Sequence, residues 1–130
     1  MWFDIDPRLS TPVYQQIIEK IKKAIAHGLL EPGEKIPTVR ELASLTALNP
    51  NTIAKAYQKL EQEGVIITMR SRGTFVADTN LDKKTAASYK ALEEMLENLL
   101  IDAYHMGFSH TEVQNILNQK LIEWEKGRGK

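Results

Sequence analysis

Asn49, Asn51, Thr52, Lys55, Gln58 and Lys59 lie within eleven residues of the stretch ALNPNTIAKAYQKLEQEG, and helical spacing places Asn51, Thr52, Lys55, Gln58 and Lys59 on one side of it. These side chains do no bond-breaking chemistry. An asparagine amide can pair bidentately with the edge of an adenine, and lysines beside it can reach phosphates. Asn51 and Thr52 are poor helix formers set in the first turn, where a recognition helix meets base edges. Asn49 has a structural reason as well, as an N-cap followed by Pro50 at the first helical position. A second donor set, Arg70-Ser71-Arg72-Gly73, forms a basic tip between two β-rich runs, and arginine at such a tip can enter a minor groove of negative potential. Taken singly, each set reads more readily as a solvated surface than as a binding site. Together they point to nucleic acid.

Catalytic constellations are lacking. The three histidines, His27, His105 and His110, include no pair at the i, i+4 spacing of a helical metal site. Glu93, Glu94 and Glu97 interleave with apolar positions and read as a solvated acidic face rather than an acid/base pair. The glycines fall at caps, turns and the tail, with no phosphate-binding or dinucleotide fingerprint. The chain has no cysteine, so thiolate chemistry and disulfides are excluded. The expectation is a protein that is not an enzyme and that needs no cofactor and no metal.

Five helices and a hairpin must position these groups. Thr11 is the expected cap of the first helix, with Pro12 at its first position. Val13, Ile17, Ile18, Ile21 and Ile25 supply its apolar face, Lys20, Lys22 and Lys23 its solvated one, and Gly28 its stop. Pro32-Gly33 is a turn signal before a short extended piece. Thr38 and Glu41 have capping-box spacing and open a second, short helix with Leu42, Ala43 and Leu45 facing inward. A third follows almost at once from Asn49 to near Gly64, with Ile53, Ala56, Tyr57 and Leu60 turned in. Helix, tight turn and helix have the length of a helix-turn-helix, and the runs Val65–Met69 and Thr74–Ala77 add a two-stranded hairpin. The fold class is therefore mainly α with a small β-hairpin: a winged helix-turn-helix over residues 1–78, then a C-terminal two-helix element over 79–130.

In that element Leu92, Met95, Leu96, Leu99, Leu100 and Ala103 repeat at spacings of three and four as far as Phe108. Ser109 to Glu112 has capping-box spacing before Val113, Ile116, Leu117, Leu121 and Trp124. The tail EKGRGK is expected to fray. Two stripes of this length with little to cover them mark a dimerisation surface formed by Leu92, Met95, Leu96, Leu99, Leu100, Ala103, Phe108, Val113, Ile116, Leu117 and Leu121.

At 130 residues with 42% hydrophobic content the chain holds one core or a compact domain with a small appendage. Seventeen basic and seventeen acidic residues cancel, so any attraction for a polyanion is local. The opening MWFDIDPRLS has acidic residues and no apolar run of signal-peptide length, and no stretch reaches the roughly 18 apolar residues of a membrane span. A cytoplasmic protein without a membrane partner is expected.

IPTVRELASLTALNPNTIAKAYQKLEQEGVI followed by SRGTFV closely resembles the DNA-binding domain of the GntR family of bacterial transcriptional regulators, over about Thr11 to Val76. The short tail resembles that of the YtrA subfamily, whose two helices dimerise. The resemblance implies a sequence-specific DNA-binding regulator, a repressor that binds an inverted-repeat operator as a homodimer, with transporter operons as common targets. It places the family's DNA-contacting arginine on Arg40, the start of the recognition helix on Asn49–Thr52 and the wing tip on Arg70–Gly73. Pro50 and Ala54 stand where better-known members often carry basic residues, so their guanine contacts do not transfer, and Ser71 stands where glycine is common. Two other readings remain: a winged-helix protein-interaction module, which would show an apolar or acidic outer face on the third helix, and an added small effector held between the last two helices. For such an effector, Tyr104, His105, Phe108 and Trp124 are the candidate contacts.

Overall fold

Ile17 and Ile21 recur one helical turn apart and are both fully buried, with Ile18 and Ala24 beside them, along α1 (Val13–Ala26). The start of α1 differs from expectation. Pro12 holds the cap position with extended backbone, and no side chain caps the end. Thr11 instead offers its carbonyl to the Gln16 amide nitrogen at 2.7 Å. That nitrogen also donates to the Asp6 carbonyl (2.8 Å), while the Gln16 amide oxygen accepts the Asp6 N–H (3.0 Å). Burial of an amide is tolerable because all of these bonds are made. Gln16 thus ties the N-terminal segment to α1, where Trp2, Phe3 and Ile5 pack on the core. The sequence patterns assigned no structure to this segment.

The structure, a computed structural model, describes residues 2–78 and 84–128. Its first unit, Met1–Thr79, continues through β1 (Lys35–Ile36), α2 (Val39–Thr46), α3 (Pro50–Gln62), β2 (Ile66–Met69) and β3 (Gly73–Val76). The capping box at Thr38 is present in both directions, with the Thr38 hydroxyl accepting the Glu41 N–H and the Glu41 carboxylate accepting the Thr38 N–H. Leu42 is buried, but Leu45 is 60% exposed and does not join the core. A helix of eight residues packs along one narrow stripe, here Val39, Leu42, Ala43 and Thr46, and Leu45 falls outside it.

The expected hairpin is a three-stranded antiparallel sheet in the order β1-β3-β2. β2 and β3 pair from Ile66↔Val76 to Met69↔Gly73, and β1 adds Lys35↔Phe75 and Ile36↔Thr74 on the other edge of β3. Two residues cannot show an alternating pattern, so β1 is recognisable only once β3 lies beside it. Ile36, Ile66 and Val76 point into the same core as Ile17, Ile21, Ile53 and Leu60.

The second unit, Asn80–Lys130, contains α4 (Ala86–His105) and α5 (His110–Arg128). Thr85 and Ser88 form a capping box that begins α4 earlier than its leucine stripe suggests. Ser109 and Glu112 open α5 as expected. Phe108 lies beyond the end of α4, its N–H bonded to the Ala103 carbonyl (3.0 Å), and α5 continues through Glu125 and Lys126 to Arg128 where fraying was expected. The boundary stretch 79–83 lies outside the described residues.

Ala47, the cap of α2 in the helix-turn-helix turn, has φ 59° and ψ 24°. A side chain in this left-handed region costs about 1 kcal/mol, which glycine avoids. Ala47→Gly is expected to raise the unfolding free energy by about 0.5–1 kcal/mol after allowing for the looser unfolded chain, measured by urea denaturation. An unchanged or lower value would show that this turn is not strained.

Candidate nucleic-acid interface

Because Ile53, Ala56, Tyr57 and Leu60 are all buried, the opposite side of α3 must face out. Asn51, Lys55, Gln58 and Lys59 are exposed and Thr52 is half-buried. Asn49 does cap the helix: its side-chain oxygen accepts the Asn51 N–H at 2.8 Å. That oxygen is thereby committed to the backbone, whereas Asn51 carries its amide into solvent on the first turn. Ala54 is exposed as well, so the outer face offers amides, a hydroxyl and ammonium groups but no carboxylate until Glu61.

Lys59 is less free than its sequence position suggests. Its ammonium lies 3.6 Å from the Glu63 carboxylate, which also binds Lys22 of α1 at 2.6 Å. The hydrogen bond from Lys22, helped by the charges of both lysines, holds the Glu63 carboxyl below the usual glutamate range. Lys22 is therefore tied to the end of α3 instead of standing only on a solvated face. The partners are well exposed, so the bridges add little stability.

At the wing, Arg72 N–H donates to the Met69 carbonyl at 3.0 Å and closes a four-residue turn. Ser71 occupies its third position with φ 69°, the conformation that type II turns give to glycine. The arginines on either side are exposed. Gly73 follows at φ 119°, and a Cβ built on it would lie 2.8 Å from the Lys35 Cε. Lys35 was not identified from the sequence as part of the wing. Its strand joins the sheet only through tertiary pairing, yet its side chain lies across the wing's root.

Three surface depressions show which residues come together. One is lined by Thr38 and Val39 at the start of α2, by Ala54, Tyr57 and Glu61 of α3, and by Thr68–Ser71, Gly73 and Thr74 of the wing. The wing and α3 therefore flank one groove. Tyr14, Thr52, Lys55, Gln58, Lys59 and Gln62 line a second groove between α1 and α3; neither Tyr14 nor Gln62 was singled out from sequence. Arg40 lines a third with Lys35, Ile36, Pro37, Glu41, Ser44 and Leu45. It is exposed, but shares no groove with Asn51. Among the described residues no group of His, Cys, Asp or Glu could hold a metal ion, and no helix is long and apolar enough to cross a membrane.

The model of the bacterial regulatory proteins of the gntR family matches residues 13–76. The chain is 42% identical over 122 residues to the HTH-type transcriptional repressor YtrA of Bacillus subtilis, covering 94% of this chain and 88% of that one. A transcriptional antiterminator of Listeria monocytogenes superposes with a TM-score of 0.80 at 33% identity, covering 92% of this chain and 90% of the other. The DNA-binding domain of AraR in complex with operator ORX1 superposes with a TM-score of 0.50 at 36% identity over 56% of this chain and 92% of that domain.

The positive φ of Gly73 has a direct consequence. Gly73→Ala places a side chain at a disfavoured φ, which is expected to lower the unfolding free energy by about 1–3 kcal/mol, with at most a small steric addition from the flexible end of Lys35. Adding Lys35→Ala should recover only that small part and leave the backbone part. Urea denaturation of the single and double variants measures both, and a loss mostly recovered in the double variant would mean that the lysine, not the backbone, sets the cost.

Proposed function

The chain belongs to the GntR family of bacterial regulatory proteins and is a transcriptional regulator rather than an enzyme; from that premise we propose that it is a cytoplasmic repressor that binds an inverted-repeat DNA operator as a homodimer. The observation that carries this reading is the outer face of α3. Over its first three turns every exposed polar group is an amide, a hydroxyl or an ammonium, bordered by the arginine-tipped wing. A docking site for protein would present an apolar or acidic face there. The AraR domain with its operator supports placing such a helix on DNA. The name of the Bacillus relative supports repression, and the resemblance to its subfamily supports a transporter operon as target.

In this reading residues 1–78 bind DNA. Asn51 and Thr52 meet base edges, with Asn49 holding the helix end. Lys55, Lys59, Arg40 and the wing from Arg70 through Ser71 and Arg72 to Gly73 serve the backbone and minor groove. Without arginine on the outer face of α3, base reading rests on amides, which favours A·T pairs in the half-site. Residues 79–130 join two copies. Leu92, Met95, Leu96, Leu99 and Leu100 of α4 are each between 44% and 67% exposed, as are Ile116, Leu117 and Leu121 of α5 between 44% and 56%, and only Ala103 and Val113 are half-buried. Phe108, between the helices, is 39% exposed. Apolar stripes of this extent are characteristic of an interface, and a two-fold pair of copies covers both at once while spacing two recognition helices for an inverted repeat.

Base contacts and phosphate contacts should separate by measurement. On a duplex selected from a random pool, Asn51→Ala is expected to cost about 1–3 kcal/mol, with much less effect on a scrambled duplex. Lys55→Ala should weaken both duplexes and reduce the salt slope by about one. Fluorescence anisotropy across salt concentrations reads both effects. Equal losses on the two duplexes for Asn51→Ala would remove the base-reading assignment.

The intact chain should sediment as a dimer at micromolar concentration and Leu99→Glu as a monomer, since a carboxylate at that position must be desolvated in the interface. A monomeric intact chain would overturn the dimer.

A further inference from the structure

A helix lying in a major groove has a phosphate strand on each side, because the groove is bounded by both backbones. On α3 the outer ridge of Asn51, Lys55, Gln58 and Gln62 likewise has a depression on each side, one toward the wing and one toward α1. The wing serves the first. The second, a groove of about 520 Å³, has a different character. The depression beside Arg40 contains Glu41 and the one beside the wing contains Glu61, whereas the lining on the α1 side has no carboxylate. Its polar groups are hydroxyls, amides and ammoniums, all able to donate to an anion. Lys59 at one end is drawn toward Glu63; Lys55 makes no ion pair among the described residues.

Tyr14 is the contribution of α1 to this lining. It sits in the first turn of α1, half-buried, with its side chain packed on the core. Among the described residues its hydroxyl makes no hydrogen bond. A ring held by the core carries its hydroxyl at a set position and loses little freedom when that hydroxyl is used.

We propose that Tyr14 is a DNA-backbone contact, its hydroxyl donating to a phosphate oxygen of the strand that runs along the α1 side of α3, next to Lys55. The proposal rests on the DNA-binding reading and adds to it the residue that braces the strand opposite the wing. A phenol is neutral, so its hydrogen bond releases no condensed counterion, whereas an ammonium on the same strand does. Tyr14 and Lys55 should therefore leave different signatures in salt.

The test uses the full chain, a labelled duplex of mixed sequence and fluorescence anisotropy at several sodium chloride concentrations. Tyr14→Phe keeps the ring and removes only the hydroxyl. It is expected to weaken binding roughly two- to tenfold at every salt concentration, the worth of one hydrogen bond, with the salt slope and Tm of the parent chain. Lys55→Ala in parallel should flatten the slope by about one. Parent affinity in Tyr14→Phe would overturn the contact and leave the DNA-binding reading standing. A lowered Tm or a changed slope would also overturn it, showing that the hydroxyl acts through the fold or through a lysine. No binding of the parent chain to any duplex at low salt would overturn both readings.

Discussion

Everything in the first unit depends on α3 serving at once as the centre of the core and as the outward face. Ile53, Ala56, Tyr57 and Leu60 are at most 3% exposed, and each large apolar side chain among them contributes about 1.5–3 kcal/mol by leaving water. With 3.6 residues per turn, burying those four determines where Asn51, Lys55 and Gln58 point. The helix could rotate only by exposing isoleucine and leucine while burying an ammonium. The same packing that stabilises the domain thus orients its donors.

Polar bonds set the ends and tilt of the helices around that centre. The Tyr57 hydroxyl donates to the Pro37 carbonyl at 2.6 Å, anchoring the middle of α3 to the residue before the cap of α2. Burial, with some help from the nearby Glu41 charge, raises the tendency of this phenol to keep its proton. Glu41 is held ionised by the Thr38 N–H that it accepts. Its carboxylate therefore serves the α2 cap, although it stands beside Arg40 on the surface. The wing is held separately: β1 pairs with β3 through Lys35↔Phe75 and Ile36↔Thr74, and Ser71 turns the tip in a conformation usually left to glycine.

The second unit has the opposite economy. Two capped helices joined through Met106, Gly107, Phe108 and Ser109 have no buried side chain on α4 and leave their leucines near half exposure. An isolated helical pair cannot enclose both of its apolar stripes. The surface proposed to join two copies is thus also the surface on which the stability of α4 and α5 rests, which makes assembly and local folding one event in this reading.

Near-neighbour signals in the sequence were sufficient for three helix starts, although the Thr11-Pro12 pair misplaced the cap of α1 and the Thr85–Ser88 box of α4 went unread. Thr38 bonds reciprocally with Glu41 and Ser109 with Glu112, and Asn49 accepts the Asn51 N–H with Pro50 at the first helical position; these bonds join near neighbours, so their spacing alone located the starts of α2, α3 and α5. The periodicity of Ile53 through Leu60 likewise identified which side of α3 faces out. What the sequence could not determine is set by residues far apart along the chain. Lys35 joins the wing because β1 finds β3 some forty residues later. Gln16 replaces Thr11 as the organiser of the start of α1 because Asp6 folds back onto it. Lys22 and Lys59 converge on one carboxylate, and Tyr14 comes to lie beside Lys55, because α1 packs across α3. Local patterns record bonds to neighbours, whereas these positions depend on long-range burial that brings distant segments together before any of their polar groups can meet.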